Sequence, residues 1–400
     1  METQKILNTA RSSEMRIHMA PEKRLLFIDN IRWLMIVFVV LIHLNCTYGN
    51  TGMWYYQEPG TSDLFSKTLF GMFGSFTQAY FMGLLFFIAG FFVPGSCDKK
   101  GVGRFIWSRL IRLGIPTLVF MAFLHPATII IMYAFNYHTL PPNLLLGYKS
   151  YLTSINFLSG SGPLWFALAL LIFSIIYGLF RFIFPRSKST VKDEKPTLIT
   201  NSRVFMIIVL ISLVAFSIRL FRPIGTAFFN MQLCYFGQYI ILFCLGIFAY
   251  RRNLLTNLSS ELGRFWFRLA LSLGIPLWGV IMVLGGSLKN WTPFCGGFHW
   301  QAAAYAIWES FFCVGVCLGL LVIFRERYNN QGRLSRFLSE NAFGVYVFHT
   351  PLLVVATMFV RGIVMYPLIK MILMAMIVLP VCFGFSWLIR KIPPMRKIFS

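Results

Sequence analysis

Arg32 and His43 stand eleven positions apart in the stretch RLLFIDNIRWLMIVFVVLIHLNCTY (24–48), with ten uncharged residues between them. On an α-helix, at about 100° and 1.5 Å per residue, that spacing puts the imidazole within roughly 20° of the guanidinium's face and ~16 Å further along the axis. A fixed cation at one edge of a bilayer and an imidazole past its middle can hold the two ends of one long molecule. Ionisable groups inside a membrane span are functional candidates by default. Each residue also has an ordinary explanation. Arg32 can snorkel and pair with Asp29 one turn earlier, Asp29 itself suits an N-cap or first-turn acid, and His43 can bond a neighbouring helix.

Two further groups favour chemistry. Arg104, Arg109 and Arg112 precede an apolar run in RFIWSRLIRLGIP, and Arg109 with Arg112 at i, i+3 makes a two-pronged cationic face at a helix foot. Arginine forks match phosphate oxygens bidentately, whereas simple anchoring by positive charge gives no reason for that spacing. Glu309 lies in an apolar run about two turns from its end, where an uncompensated carboxylate is costly; His43, Arg219 and His349 are its candidate partners. Counting depth from the start of each apolar run favours His43 or Arg219, because His349 then falls nearer the cytoplasmic half. His125, followed by Pro126, is expected to serve backbone freed by the proline. The segment SGSGPLWFAL (159–168) opens a helix with glycines and a proline, and Trp165 is either an interfacial aromatic or a platform for a sugar ring near His43.

The elements that must carry these residues are membrane spans. The chain has 400 residues, 57% hydrophobic and only 12% charged, against about a quarter charged in an ordinary soluble domain. About ten runs have the length to cross hydrocarbon, near 31–48, 72–93, 113–135, 164–184, 204–221, 235–250, 269–286, 302–324, 342–360 and 366–389. The predicted fold is therefore all-α, a polytopic bundle of about ten transmembrane helices. Of 36 Lys and Arg, all but seven (Lys67, Lys149, Arg219, Arg222, Lys289, Arg361 and Lys370) fall on one side of these runs, which places both termini in the cytoplasm.

Residues 1–23 read as a cytoplasmic tail, 24–390 as one membrane domain with a cytoplasmic linker at 185–202, and 391–400 as a second tail. The first apolar run is a full span and not a short signal-peptide core, so it is expected to act as an uncleaved anchor. The net charge of +23 is scattered in short clusters that suit lipid headgroups and form no nucleic-acid stripe. Eight cysteines without a CxxC pair read mostly as buried small hydrophobes, and no metal site is expected.

Taken together these residues resemble the acyltransferase 3 family over roughly 24–390. The shared marks are the Arg32–His43 spacing, the Arg109 and Arg112 pair, FFIAGFF (86–92), GPLWF (162–166), and the pattern of Asn341, Phe343, Gly344, Tyr346 and His349. Ala89 stands where the family often has serine, so no hydroxyl is required there. The resemblance implies an O-acyltransferase of the cell membrane, the bacterial inner or plasma membrane. It implies acyl-CoA, most often acetyl-CoA, as co-substrate with no permanently bound cofactor, and a cell-envelope glycan as acceptor. Arg32, Arg109 and Arg112 would hold the donor's phosphates and His43 would be the catalytic residue, with Glu309 orienting it. Asp29, Trp165, Tyr346 and His349 would be structural or acceptor-side. Some relatives carry an appended hydrolase-like domain; without one, this chain is expected to acylate its acceptor directly or to rely on polysaccharide-biosynthesis partners. One displacement and an acyl-histidine intermediate both remain open. The rival reading is a transporter or flippase for polysaccharide or lipid-linked sugar, which would call for interrupted helices and repeated halves.

Overall fold

A computed structural model describes residues 24–60, 63–185 and 199–399. The expected N-terminal tail and most of the 185–202 linker lie outside the described residues. Ten helices are long and apolar enough to cross a membrane. They are α1 (Leu26–Gly49), α2 (Leu64–Lys100), α3 (Val102–Tyr137), α5 (Trp165–Ile183), α6 (Asn201–Phe221), α7 (Phe236–Arg251), α8 (Ser260–Leu284), α9 (Trp300–Arg327), α10 (Arg333–Phe359) and α11 (Pro367–Arg390). A short α4 (Leu144–Thr153) and a terminal α12 (Pro393–Phe399) complete the set used below. Strands are absent among the described residues, apart from one isolated bridge between Phe228 and Met231.

Several helices outrun their apolar cores because caps, and not hydropathy, set their ends. α2 has 37 residues, about 55 Å. It starts where the Asp63 carboxylate accepts from the backbone N–H (3.0 Å) and hydroxyl (2.6 Å) of Ser66, and it stops at Gly101, whose φ of +77° a side chain would resist. Those bonds from Ser66 hold the Asp63 carboxyl down at about 2.

Burial separates core helices from lipid-facing ones. The apolar windows of α2 and α9 are 67% buried and that of α10 61%, against 17% for α3 and 22% for α8. Helices α1, α2, α9 and α10 therefore form the middle, while α5, α6 and α11 turn residues such as Ile176, Leu213 and Met376 outward. Cys234, Cys313, Cys317 and Cys382 are buried as expected, while Cys244 is exposed. The FFIAGFF run works by close approach. A Cβ on Gly90 would lie 2.1 Å from the carbonyl oxygen of Phe243, and one on Gly246 would lie 2.1 Å from that of Phe87. Reciprocal glycines thus bring the α2 and α7 backbones into contact, as small residues do between membrane helices.

α3 is not a regular helix. Two π turns, Leu110–Gly114 and Phe120–Leu124, each end two residues before a proline, Pro116 and Pro126. Proline has no N–H to donate, and the residue before each one reaches back five positions, Ile115 to Leu110 and His125 to Phe120. The carbonyls left over near Pro126 are taken by α4. Tyr151 donates to the carbonyl of Met121 at 2.8 Å and Tyr148 to that of Ala122 at 2.9 Å. His125 was expected in this role and does not fill it; its Nδ1 instead meets the Tyr55 hydroxyl at 2.5 Å.

Candidate active site

At the start of α1, Asp29 is buried and accepts from Arg24 (2.6 Å) and Arg32 (3.3 Å), so the expected Asp29–Arg32 contact is present. The neighbouring Asn30 fixes the helix in place. Its amide donates to the carbonyls of Tyr328 (2.7 Å) and Asn330 (2.9 Å), while its oxygen accepts from Ser335 (2.6 Å) and Gln331 (3.0 Å). Arg32 stays partly free to turn outward, with 46% of its side chain exposed. Arg109 and Arg112 come from α3 into electrostatic reach of Arg32 and of each other, with Arg109 also over the Phe105 ring. Asp29 offsets part of the charge on Arg32, while the like charges brought together from the two helices repel, so a further anion placed among them is stabilised.

His43 lies further along α1. Between it and Arg32 on the same face, Ile36, Val39 and Val40 are buried in the main core. The imidazole is half-buried; Nδ1 is enclosed with no hydrogen-bond partner, which leaves Nε2 as the nitrogen on the accessible side. Two aromatic rings flank it: Trp54 stacks on it at 3.8 Å between centroids and 14° between planes, and His349 is 5.2 Å away at 14°.

Trp54 arrives from a loop that sequence reasoning passed over. Asn50 and Gly52, at φ +50° and +70°, reverse the chain after α1. The loop then re-enters the bundle to a level six residues, about 9 Å, below the helix end. It is pinned by Glu58, whose carboxylate pairs with buried Lys370 at 2.5 Å and whose N–H donates to Thr47 at 2.9 Å. Tyr55 braces it against His125, and burial pushes the Tyr55 phenol well above its usual range, so it keeps its proton. The aromatic cluster Trp54–Tyr56 in a loop was the one sequence signal available.

His349 corrects the depth argument. It stands beside His43 and not towards the other half, because the Asn30–Ser335 bond sets the register of two parallel helices: His43 is thirteen residues past Asn30, His349 fourteen past Ser335. Tyr346 donates to the carbonyl of Pro163 (2.6 Å) and accepts from the N–H of Ala167 (3.3 Å), clamping the GPLWF segment to α10. Asn341 and Gly344 face α11, where the Ser386 hydroxyl donates to the Asn341 carbonyl at 2.9 Å and lies 2.2 Å from any Cβ on Gly344. Trp165 stacks on Tyr239, 5.8 Å away, at the α5–α7 contact; the ring that covers His43 is Trp54.

Glu309 is not brought to His43. It forms a fully buried ion pair with Arg219, which joins α9 to α6, and the guanidinium also sits over the rings of Tyr235 (5.3 Å) and Tyr305 (5.8 Å). Of the three partners weighed from sequence, the structure selects Arg219. No group of three or more His, Cys, Asp or Glu side chains is placed to hold a metal ion among the described residues.

The geometry offers an imidazole with one accessible nitrogen, an aromatic cover, and a cation cluster about three helical turns away. No curated protein and no solved structure matches the chain. A family model described as an acyltransferase domain matches residues 25–391, nearly the whole chain, and the protein therefore belongs to the acyltransferase 3 family, as an integral membrane acyltransferase.

Proposed function

We propose that the protein takes an acyl group, acetyl by family frequency, from cytoplasmic acyl-CoA and transfers it to a hydroxyl of a cell-envelope or extracellular glycan. The end of the bundle bearing Arg32 faces the cytoplasm in this reading, with both termini on that side. The observation that carries it is the convergence of Arg32, Arg109 and Arg112, a like-charge cluster suited to the donor's phosphates. The rise of ~16 Å from there to His43 is comparable to the reach of a pantetheine arm. Ile36, Val39 and Val40 are packed in the core along the strip between, so in this reading those side chains must move aside for the arm.

The acceptor enters from the opposite end, beside the loop that carries Trp54. Its hydroxyl oxygen attacks the thioester carbonyl, a C–O bond forms and the C–S bond breaks. The hydroxyl proton passes to Nε2 of His43 and from there to the departing thiolate, which leaves the imidazole neutral again. A near-neutral imidazole suits both transfers.

The test is transfer of label from acetyl-CoA to glycan in membranes, together with mass spectrometry of the envelope glycans. His43→Ala is expected to abolish the acetyl mass increment, and Arg109→Ala to raise KM for the donor by about 10-fold or more, the loss of one charge-assisted contact. Wild-type transfer by His43→Ala would overturn the proposal, as would glycan translocation without any acyl donor.

A further inference from the structure

The three rings at the site fix more than proximity. Trp54 lies 3.8 Å from His43 and 6.4 Å from His349, and the two imidazoles are 5.2 Å apart. These separations satisfy the Pythagorean relation with the corner on His43. All three planes agree within 14°. Trp54 therefore covers the face of His43, while His349 meets it edge to edge, close to the same plane. Stacked faces cannot exchange an in-plane N–H, but neighbouring edges can.

The unpartnered nitrogens of the two rings are complementary. Nδ1 of His349 is 2.8 Å from the carbonyl oxygen of Tyr346 and 3.3 Å from that of Val345. Carbonyls only accept, so Nδ1 carries the proton, and Nε2 of the neutral ring is left as an acceptor. That Nε2 is buried with no partner, and so is Nδ1 of His43. His349 as a whole has no exposed surface. An acceptor that is buried and unsatisfied, next to an enclosed nitrogen that can donate, marks a hydrogen bond that a small turn of the His43 ring or one bridging water completes. The indole N–H of Trp54 is also unpartnered, but it lies in the plane of a ring stacked on His43 and cannot point at that ring.

We infer that His349 is the positioning residue of the transfer site. It holds the proton of His43 on Nδ1, so the lone pair of His43 sits on the accessible Nε2, and it stabilises the imidazolium once His43 has taken the acceptor's proton. The chain of contacts runs from the Tyr346 carbonyl through His349 to His43, with a neutral imidazole in the place a carboxylate often fills. This rests on His43 acting as the base. It assigns the orienting function to His349, where sequence had offered Glu309.

The test reads the tautomer directly, by ¹⁵N resonances of labelled histidine in the full-length protein in lipid bilayers, alongside steady-state transfer. In the wild type His43 is expected protonated on Nδ1; in His349→Ala it is expected as a mixture of tautomers. His349→Ala should lower kcat about 10- to 100-fold, the scale on which orienting partners act, with KM for acyl-CoA little changed. His349→Gln, whose amide oxygen can accept at the same place, should recover part of both signals and guards against loss through misfolding. An unchanged His43 tautomer in His349→Ala, or a KM effect without a kcat effect, would overturn the inference. Its failure is separable from that of the functional reading, which falls if His43→Ala remains active or if glycan is translocated without any acyl donor.

Discussion

Glu309→Gln separates a structural carboxylate from a catalytic one. Arg219 and Glu309 are 0% and 1% exposed, so both charges have lost water and each depends on the other. The guanidinium has further exposure to loss, because its Nε and Nη1 already lack partners, as does Oε1 of the glutamate. Neutralising the acid leaves a buried cation compensated only by the Tyr235 and Tyr305 rings. Breaking such a pair from one side costs ~3–5 kcal/mol, or roughly two to four orders of magnitude in a folding equilibrium. Against a typical stability of about 5–15 kcal/mol, that is a large fraction. Thermal unfolding of the purified protein in lipid nanodiscs is expected to show a clear fall in the transition temperature. Replacing both members, Arg219→Met with Glu309→Leu, should recover most of it, since well-packed apolar pairs often match buried ion pairs. If Glu309→Gln keeps wild-type thermal stability while acyl transfer drops by a hundredfold or more, the carboxylate acts on the reaction and the structural assignment is wrong.

Gly246→Ala should lower thermal stability by about 1–3 kcal/mol, because its Cβ would fall 2.1 Å from the Phe87 carbonyl and 2.8 Å from the Phe91 nitrogen. Gly103→Ala, where a Cβ meets nothing within 4 Å, is the control, expected neutral or stabilising by up to about 1 kcal/mol in the same melt. Tyr148→Phe should cost about 1 kcal/mol in the wild type and less in Pro126→Ala, where a restored N–H can serve the Ala122 carbonyl; a double-mutant cycle with no coupling would contradict that account of α3. The Asp63 carboxyl is held at about 2 against an ordinary 3.8, so its contribution is complete above about pH 4 and is lost as pH falls towards 2. Melts of Asp63→Asn should therefore converge on the wild type at the acid end and differ from it at neutral pH.

The parts of the site legible in the sequence are those set by one helix. The Arg32–His43 spacing needs only the helical repeat, and the Arg109, Arg112 pair needs only its place at a span's foot. What escaped the sequence depends on contacts between distant segments. The position of Trp54 follows from a loop that turns inward and is held by Lys370, more than three hundred residues away. The partner of Glu309 was open among three residues because depth alone does not say which way a side chain faces around its helix. The π turns of α3 had a local signature, a proline two residues after each, but the tyrosines that satisfy the freed carbonyls come from a separate helix.

His349 shows most directly why a depth estimate fails. Measured from where the apolar run begins near residue 342, it falls about 10 Å into the bilayer, while His43 falls about 18 Å from the start of its own run near 31. Hydropathy locates the water boundary, but helices in contact are aligned by their bonds. The Ser335 hydroxyl, seven residues before the apolar run, donates to Asn30 at 2.6 Å and sets the register of α10 against α1. From that contact the two histidines rise by about 20 and 21 Å and arrive level. A polar bond at the rim thus decides which imidazoles meet some four turns away. Asn30→Ala should accordingly disturb the His43–His349 contact without touching either ring, and the histidine ¹⁵N resonances would report it. Unchanged resonances in that variant would mean that packing along the helices, and not the rim, sets the register.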